Sequence, residues 1–95
     1  MNHELKSKIE ALPNNPGVYQ YYDTEGALIY VGKAKALKKR VSSYFVKGRH
    51  DSTKTLFLVR KIADIKYMVV GSETEALLLE NSLIKKHQPK YNIQL

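Results

Sequence analysis

The chain has 95 residues, with 16 Lys and Arg against 9 Asp and Glu, a net charge of +7 and no cysteine. This length holds one domain around one small core and leaves no room for a second catalytic lobe, while the missing thiols exclude disulfides, thiolate zinc sites, iron–sulfur clusters and cysteine nucleophiles. The basic surplus attracts polyanions of any kind: nucleic acid, acidic protein or an anionic membrane surface.

The start, Met1 to Lys6, lacks the apolar centre of a signal peptide, and no apolar run nears the roughly 20 residues that cross a bilayer, so a cytoplasmic protein without membrane contact is expected. From Glu4 to Leu12 the spacing of Leu5, Ile9 and Leu12 predicts a short amphipathic helix, which Pro13-Asn14-Asn15-Pro16 stops. Val18–Tyr22 and Ala27–Val31 are rich in β-formers, and the gap Asp23-Thr24-Glu25-Gly26 marks a hairpin. With those four residues as the loop, Tyr22 pairs with Ala27 and Tyr19 falls opposite Tyr30, so two phenols share one face. After Gly32 the chain turns basic, and Leu37, Val41, Tyr44 and Phe45 predict a helix following the second strand. Val46–Ser52 reads as a loop, Thr53–Ala63 as a further helix anchored by Leu56, Val59 and Ile62, and Ile65–Val70 as a third strand. The last helix opens on the capping box Ser72-x-x-Glu75, runs through Leu77, Leu79, Leu83 and Ile84, and closes before Pro89. The chain is thus an α+β (α/β) domain: a small three-stranded, mainly antiparallel sheet with helices around it.

One acidic residue is out of place. At about 100° per residue, Glu80 falls within the apolar stripe of the last helix, one turn from Ala76, Leu83 and Ile84. A carboxylate there costs on the order of several kcal/mol unless something pairs with it. Two readings stand: a structural salt bridge or hydrogen bond, or a metal ligand at the floor of a cleft. Glu73 and Glu75 are explained by the helix start. Arg40 lies four residues before Tyr44, so both reach one cleft edge. Lys33 follows Gly32 at a strand end, where a missing side chain admits a phosphate and an ammonium neutralises it. Lys38 and Lys39 read as a solvated face, and His3, His50 and His87 have no ligand spacing. With one such carboxylate, a two-metal nuclease is disfavoured and a one-metal site remains open.

Five pieces in order, Gly17-Val18-Tyr19, Ile29-Tyr30-Val31-Gly32-Lys33, Leu37 with Arg40 and Tyr44, Glu80, and Pro89-Lys90-Tyr91-Asn92, resemble the GIY-YIG nuclease superfamily over nearly the whole chain. Within it, Pro16-Gly17-Val18-Tyr19, Tyr30-Val31-Gly32-Lys33-Ala34-Lys35 and the stretch from Glu75 to Glu80 are similar to the N-terminal domains of the UvrC family, the excinuclease subunits of bacterial nucleotide excision repair. The resemblance implies a metal-dependent cut of one DNA strand on the 3′ side of a lesion. It carries a catalytic role to Tyr19, Tyr30, Lys33, Arg40 and Tyr44, a site-supporting role to Asn92, and a single Mg²⁺ or Mn²⁺ to Glu80. It further implies that residues 1–95 form one endonuclease domain, a monomer in isolation and an N-terminal fragment of a longer multidomain protein, which meets damaged double-stranded DNA in a pre-incision complex with UvrB.

On this reading Arg40 clamps the scissile phosphate and Tyr30 is the general base, its pKa drawn down from about 10 by Lys33 and Arg40. Tyr19 orients Tyr30 or relays its proton. The alternatives are a stand-alone or mobile-element GIY-YIG nuclease, and a non-catalytic basic module with Glu80 merely paired in the core.

Overall fold

A computed structural model describes residues 2–46 and 52–93. The elements are α1 (His3–Glu10), β1 (Gly17–Tyr22), β2 (Leu28–Ala34), α2 (Leu37–Tyr44), α3 (Thr53–Lys61), β3 (Asp64–Val69), α4 (Glu73–His87) and α5 (Lys90–Ile93). Most of the loop expected at Val46–Ser52, His50 included, lies outside the described residues. No helix among those described is long and apolar enough to cross a membrane.

Side chains at the helix starts explain the boundaries. Asn2 accepts from the Leu5 N–H, Ser52 from Thr55 and Ser72 from Glu75, each satisfying a donor that the first turn leaves unpaired. The carboxylate of Glu75 reaches back to the Gly71 N–H, one residue before the cap. Helix α2 has no capping side chain of its own. Its first N–H groups, on Leu37, Lys38 and Lys39, instead donate to the Asn15 carbonyl, the Pro13 carbonyl and the Asn14 Oδ1. The segment that ends α1 therefore also seats α2. Helix α4 closes on Gln88 in the left-handed region at φ 46°, whose N–H bonds the Ile84 carbonyl, and Pro89 follows fully buried.

The sheet runs β2-β1-β3, with β1 antiparallel to both neighbours. The hairpin register differs from the sequence expectation. Asp23 bonds the Ala27 carbonyl and accepts from two loop N–H groups, Gly26 takes φ +80°, and a bulge lies between Tyr21 and Tyr22. Ala27 thus closes on Asp23 and not on Tyr22. Tyr22 pairs with Leu28, Tyr21 with Tyr30 and Tyr19 with Gly32. The slip is two residues in all, so Tyr19 and Tyr30 keep a common face though they are no longer opposite. Strand β2 also runs to Ala34, which places Lys33 in the strand.

Helices cover both faces of the sheet. Tyr19 and Tyr21 of β1 join Leu5 and Ile9 of α1, Leu37, Val41 and Tyr44 of α2 and Leu58 of α3 in one cluster. On the other face Val18 and Val31 meet Ala76 of α4, with Leu79, Leu83 and Ile84 packed against them. Short α5, absent from the sequence reading, folds onto the outer edge of β2. There Asn92 accepts from the Val31 N–H at 2.8 Å and donates to its carbonyl at 3.0 Å, as a neighbouring strand would.

Candidate active site

The alternation of β1 and the helical spacing of α2 converge on a cluster of phenols. Tyr19 and Tyr21 project from the same face of β1, Tyr30 from β2, and Tyr44 from the last turn of α2. The Tyr19 and Tyr44 hydroxyls lie 2.7 Å apart in a buried hydrogen bond. Arg40, one turn before Tyr44, donates to Tyr19 through Nε at 3.4 Å and to Tyr44 through Nη2 at 3.2 Å, with its guanidinium over the Tyr44 ring. The expected Arg40–Tyr44 pairing is therefore present, and it gains Tyr19. Tyr30 stands 6.3 Å from Tyr19 and 6.5 Å from Tyr44 between ring centres.

The space over Gly32 is filled. A Cβ there would overlap the Cζ and hydroxyl of Tyr19 and come within 2.7 Å of Cε2. The sequence reading left this opening to a phosphate, but the tyrosine ring occupies it. Glycine is needed here so that the hydroxyl end of the Tyr19 ring can approach the backbone of β2.

The electrostatics of Tyr30 run against the sequence expectation. Desolvation raises its pKa, the neighbouring Tyr44 and the charge of Glu80 add to the rise, and Arg40 alone among the main influences opposes it. Lys33 is exposed and is not among these influences. The phenol is accordingly held neutral, and not drawn toward phenolate. Tyr19 and Tyr44 are raised as well, each chiefly by desolvation. For Arg40 burial works against the charge, but Tyr19, Tyr44 and Tyr30 outweigh it and hold the guanidinium protonated.

Glu80, on α4, lies close enough to Tyr30 for its charge to act on that phenol. It is half-buried and has no hydrogen bond or ion pair among the described residues, whose salt bridges are Lys8–Asp64 and Lys35–Glu73. The expected dry stripe is narrower than the wheel suggested: Leu77 is 43% exposed, and of the helix only Ala76 is fully buried. Partial access to water, and not a protein partner, makes the charge tolerable. No group of three or more His, Cys, Asp or Glu is assembled among the described residues. The donor set is one carboxylate, which fits a hard divalent ion that retains most of its waters.

Tyr19, Tyr30, Arg40 and Tyr44 are thus brought together, and Glu80 joins them through its influence on Tyr30. Lys33 sits beside them on a groove that also includes Arg40, and Asn92 stands at the outer edge of β2, holding the backbone between Tyr30 and Gly32. Tyr21 was not singled out by sequence reasoning. Its ring lies 5.2 Å from those of Tyr19 and Tyr44, and its buried hydroxyl has no partner among the described residues. The period of two along β1 is the signal that places it beside Tyr19.

Residues 15–93 match the model of the UvrC-like GIY-YIG domain. The chain is 65% identical over 91 residues to the UvrABC system protein C of Flavobacterium psychrophilum, covering 96% of the chain and 15% of that protein. It is 60% identical over its full 95 residues to the same-named protein of Streptococcus pyogenes serotype M5, 16% of that protein's length. The chain therefore spans about 15% of the length of the relatives it matches. Its fold superposes with a TM-score of 0.85 and 38% identity on the crystal structure of the GIY-YIG N-terminal endonuclease domain of UvrC from Thermotoga maritima, bound to its catalytic divalent cation, magnesium. That match covers 98% of this chain and 100% of the other.

Proposed function

The chain belongs to the UvrC-like GIY-YIG family, and from that membership we propose that it is a divalent-metal-dependent endonuclease domain that hydrolyses a DNA phosphodiester in nucleotide excision repair. The reading extends to the incision on the 3′ side of a lesion, made by a longer protein acting with UvrB on damaged duplex. The observation that supports it most is Glu80: a half-buried acidic side chain whose charge acts on Tyr30, with no ion pair among the described residues.

Phosphodiester hydrolysis needs an in-line water, somewhere for its proton to go, charge relief on the phosphoryl oxygens and stabilisation of the departing oxygen. Arg40 serves the third need. Two of its five N–H donors are tied to Tyr19 and Tyr44, which fixes the plane of the guanidinium and leaves the others for a phosphate. Tyr30 is the residue that positions the water and takes its proton. Because its own surroundings keep the phenol neutral, it takes that proton only as it passes its own on to solvent, and Tyr44 rather than Tyr19 is its hydrogen-bonded neighbour. The Tyr19–Tyr44 hydrogen bond keeps that neighbour in one arrangement. Glu80 is the residue that would hold the ion, and the chemistry such an ion supplies when bound is relief of charge on the departing 3′ oxygen and a positive field over Tyr30. Asn92 keeps Tyr30 in place by fixing the backbone of β2 one residue away.

The experiment is incision of a lesion-bearing duplex by the assembled repair system carrying this domain, with Mg²⁺ or Mn²⁺. Replacing Glu80→Gln removes interactions worth several kcal/mol in the transition state, so 3′ incision should fall by about a hundredfold or more while the fold keeps its melting temperature. Unchanged incision, or an unfolded variant, would favour the structural reading of Glu80.

A further inference from the structure

We propose that the cationic groove between the end of β2 and α2 seats a second phosphate of the DNA backbone, beside the one to be cut, and that Glu73 holds one of its lysines until that phosphate arrives. This rests on the nuclease reading for the identity of the polyanion.

Lys33, Lys35, Lys39 and Arg40, with Ser43, line an open groove of about 500 Å³. Arg40 is shared with the phenol cluster, so the groove begins at the site itself. It continues along Lys33 and Lys35 to Glu73 and Ala76, at the start of α4. Four positive charges thus line one path that leaves the reacting centre.

Three lysines elsewhere are occupied: Lys8 by Asp64, Lys66 by the ring of Tyr22 and Lys90 by that of Tyr91. Lys33 and Lys39 have no such partner among the described residues. Lys35 has one, Glu73 at 3.4 Å, and both side chains are largely exposed. An ion pair of this kind adds little to stability, so exchanging the carboxylate for a phosphate oxygen costs little. The carboxylate stands where an incoming anion would go.

The groove suits a backbone phosphate better than a mononucleotide. A cradle for a terminal phosphate uses the free N–H groups at a helix start. Here those of α2 are already given to Pro13, Asn14 and Asn15. What remains is a row of side-chain charges without directional donors, which binds a polyanion by charge and reads no base.

The test is the binding of a fluorescently labelled DNA duplex by the chain, without divalent metal, at several salt concentrations between about 50 and 200 mM. Lys35→Ala and Lys39→Ala should each weaken binding several-fold and lower the slope of log K against log salt by about 0.9. Lys66→Ala, which removes the same charge from the opposite edge of the sheet, should do neither. Glu73→Gln should tighten binding two- to threefold, and that gain should vanish when Lys35 is already alanine. Equal losses for Lys66→Ala and Lys35→Ala would reduce the effect to net charge and overturn the proposal. So would a Glu73→Gln gain that survives without Lys35. Failure of the nuclease reading is separable: it shows as absent incision by the wild type, whereas these binding differences are measured without metal or cleavage.

Discussion

Tyr21 is the residue whose chemistry and position fit least well. It is completely buried, its hydroxyl has no partner among the described residues, and its pKa is raised well above the ordinary tyrosine value by desolvation. An unmade buried hydrogen bond costs about 1–3 kcal/mol, and phenylalanine fills the same volume. Tyr21→Phe should therefore stabilise the domain by about that amount, read as an upward shift in chemical denaturation midpoint; a lower midpoint would mean that the hydroxyl is paired in solution. Glu80 presents the opposite case. Its oddity is visible in one dimension, because a carboxylate interrupts an apolar period, and the structure brings its charge to bear on Tyr30. The state of Tyr30 is not visible in that way. Its nearness to Lys33 and Arg40 suggested a lowered pKa, but desolvation depends on how the rings of β1 and α2 close around it, and that is set by packing between distant segments.

The hairpin formed by β1 and β2 shows what local sequence conveys and where it stops. The two strands, their turn residues and the shared face of Tyr19 and Tyr30 follow from alternation and from Asp23-Thr24-Glu25-Gly26. The register does not, because Asp23 closes the turn on Ala27 and the bulge at Tyr21/Tyr22 adds a further residue. Gly32 gains its meaning only from that register, since it is the residue that Tyr19 covers. A methyl group at this position must push the ring aside, and overpacking of this sort costs about 1–3 kcal/mol. Gly32→Ala should thus lower the melting temperature by roughly 4–8 °C per kcal/mol in a domain of this size, and abolish incision by dislodging the Tyr19 hydroxyl from Tyr44 and Arg40. A variant with wild-type melting and incision would show that the ring does not need that seat. Helix α5 escaped notice for a related reason: four residues carry no period, and their anchor is the edge of β2, some sixty positions earlier.

At the scale of the whole molecule, the phenol cluster ties stability to alkaline pH. Tyr19, Tyr21, Tyr30 and Tyr44 all have raised pKa values in the fold, first through desolvation. The folded state binds these protons more tightly than the unfolded chain, whose tyrosines ionise near pH 10. Their contribution is therefore complete below about pH 10 and is lost as pH rises beyond it. The melting temperature should hold on the neutral side and fall steeply above about pH 10, with the phenolate absorbance of these four appearing only on unfolding. Their titration within the folded protein would contradict the burial described above. On the proposed function Glu80 would hold an ion near Tyr30, and paramagnetic broadening by Mn²⁺ tests this most directly. In the wild type the Tyr30 ring signals should broaden as Mn²⁺ is added, and Glu80→Gln should remove the effect without changing the melting temperature. Broadening that is equal in the variant, or absent at Tyr30 in the wild type, would contradict a metal site built on Glu80.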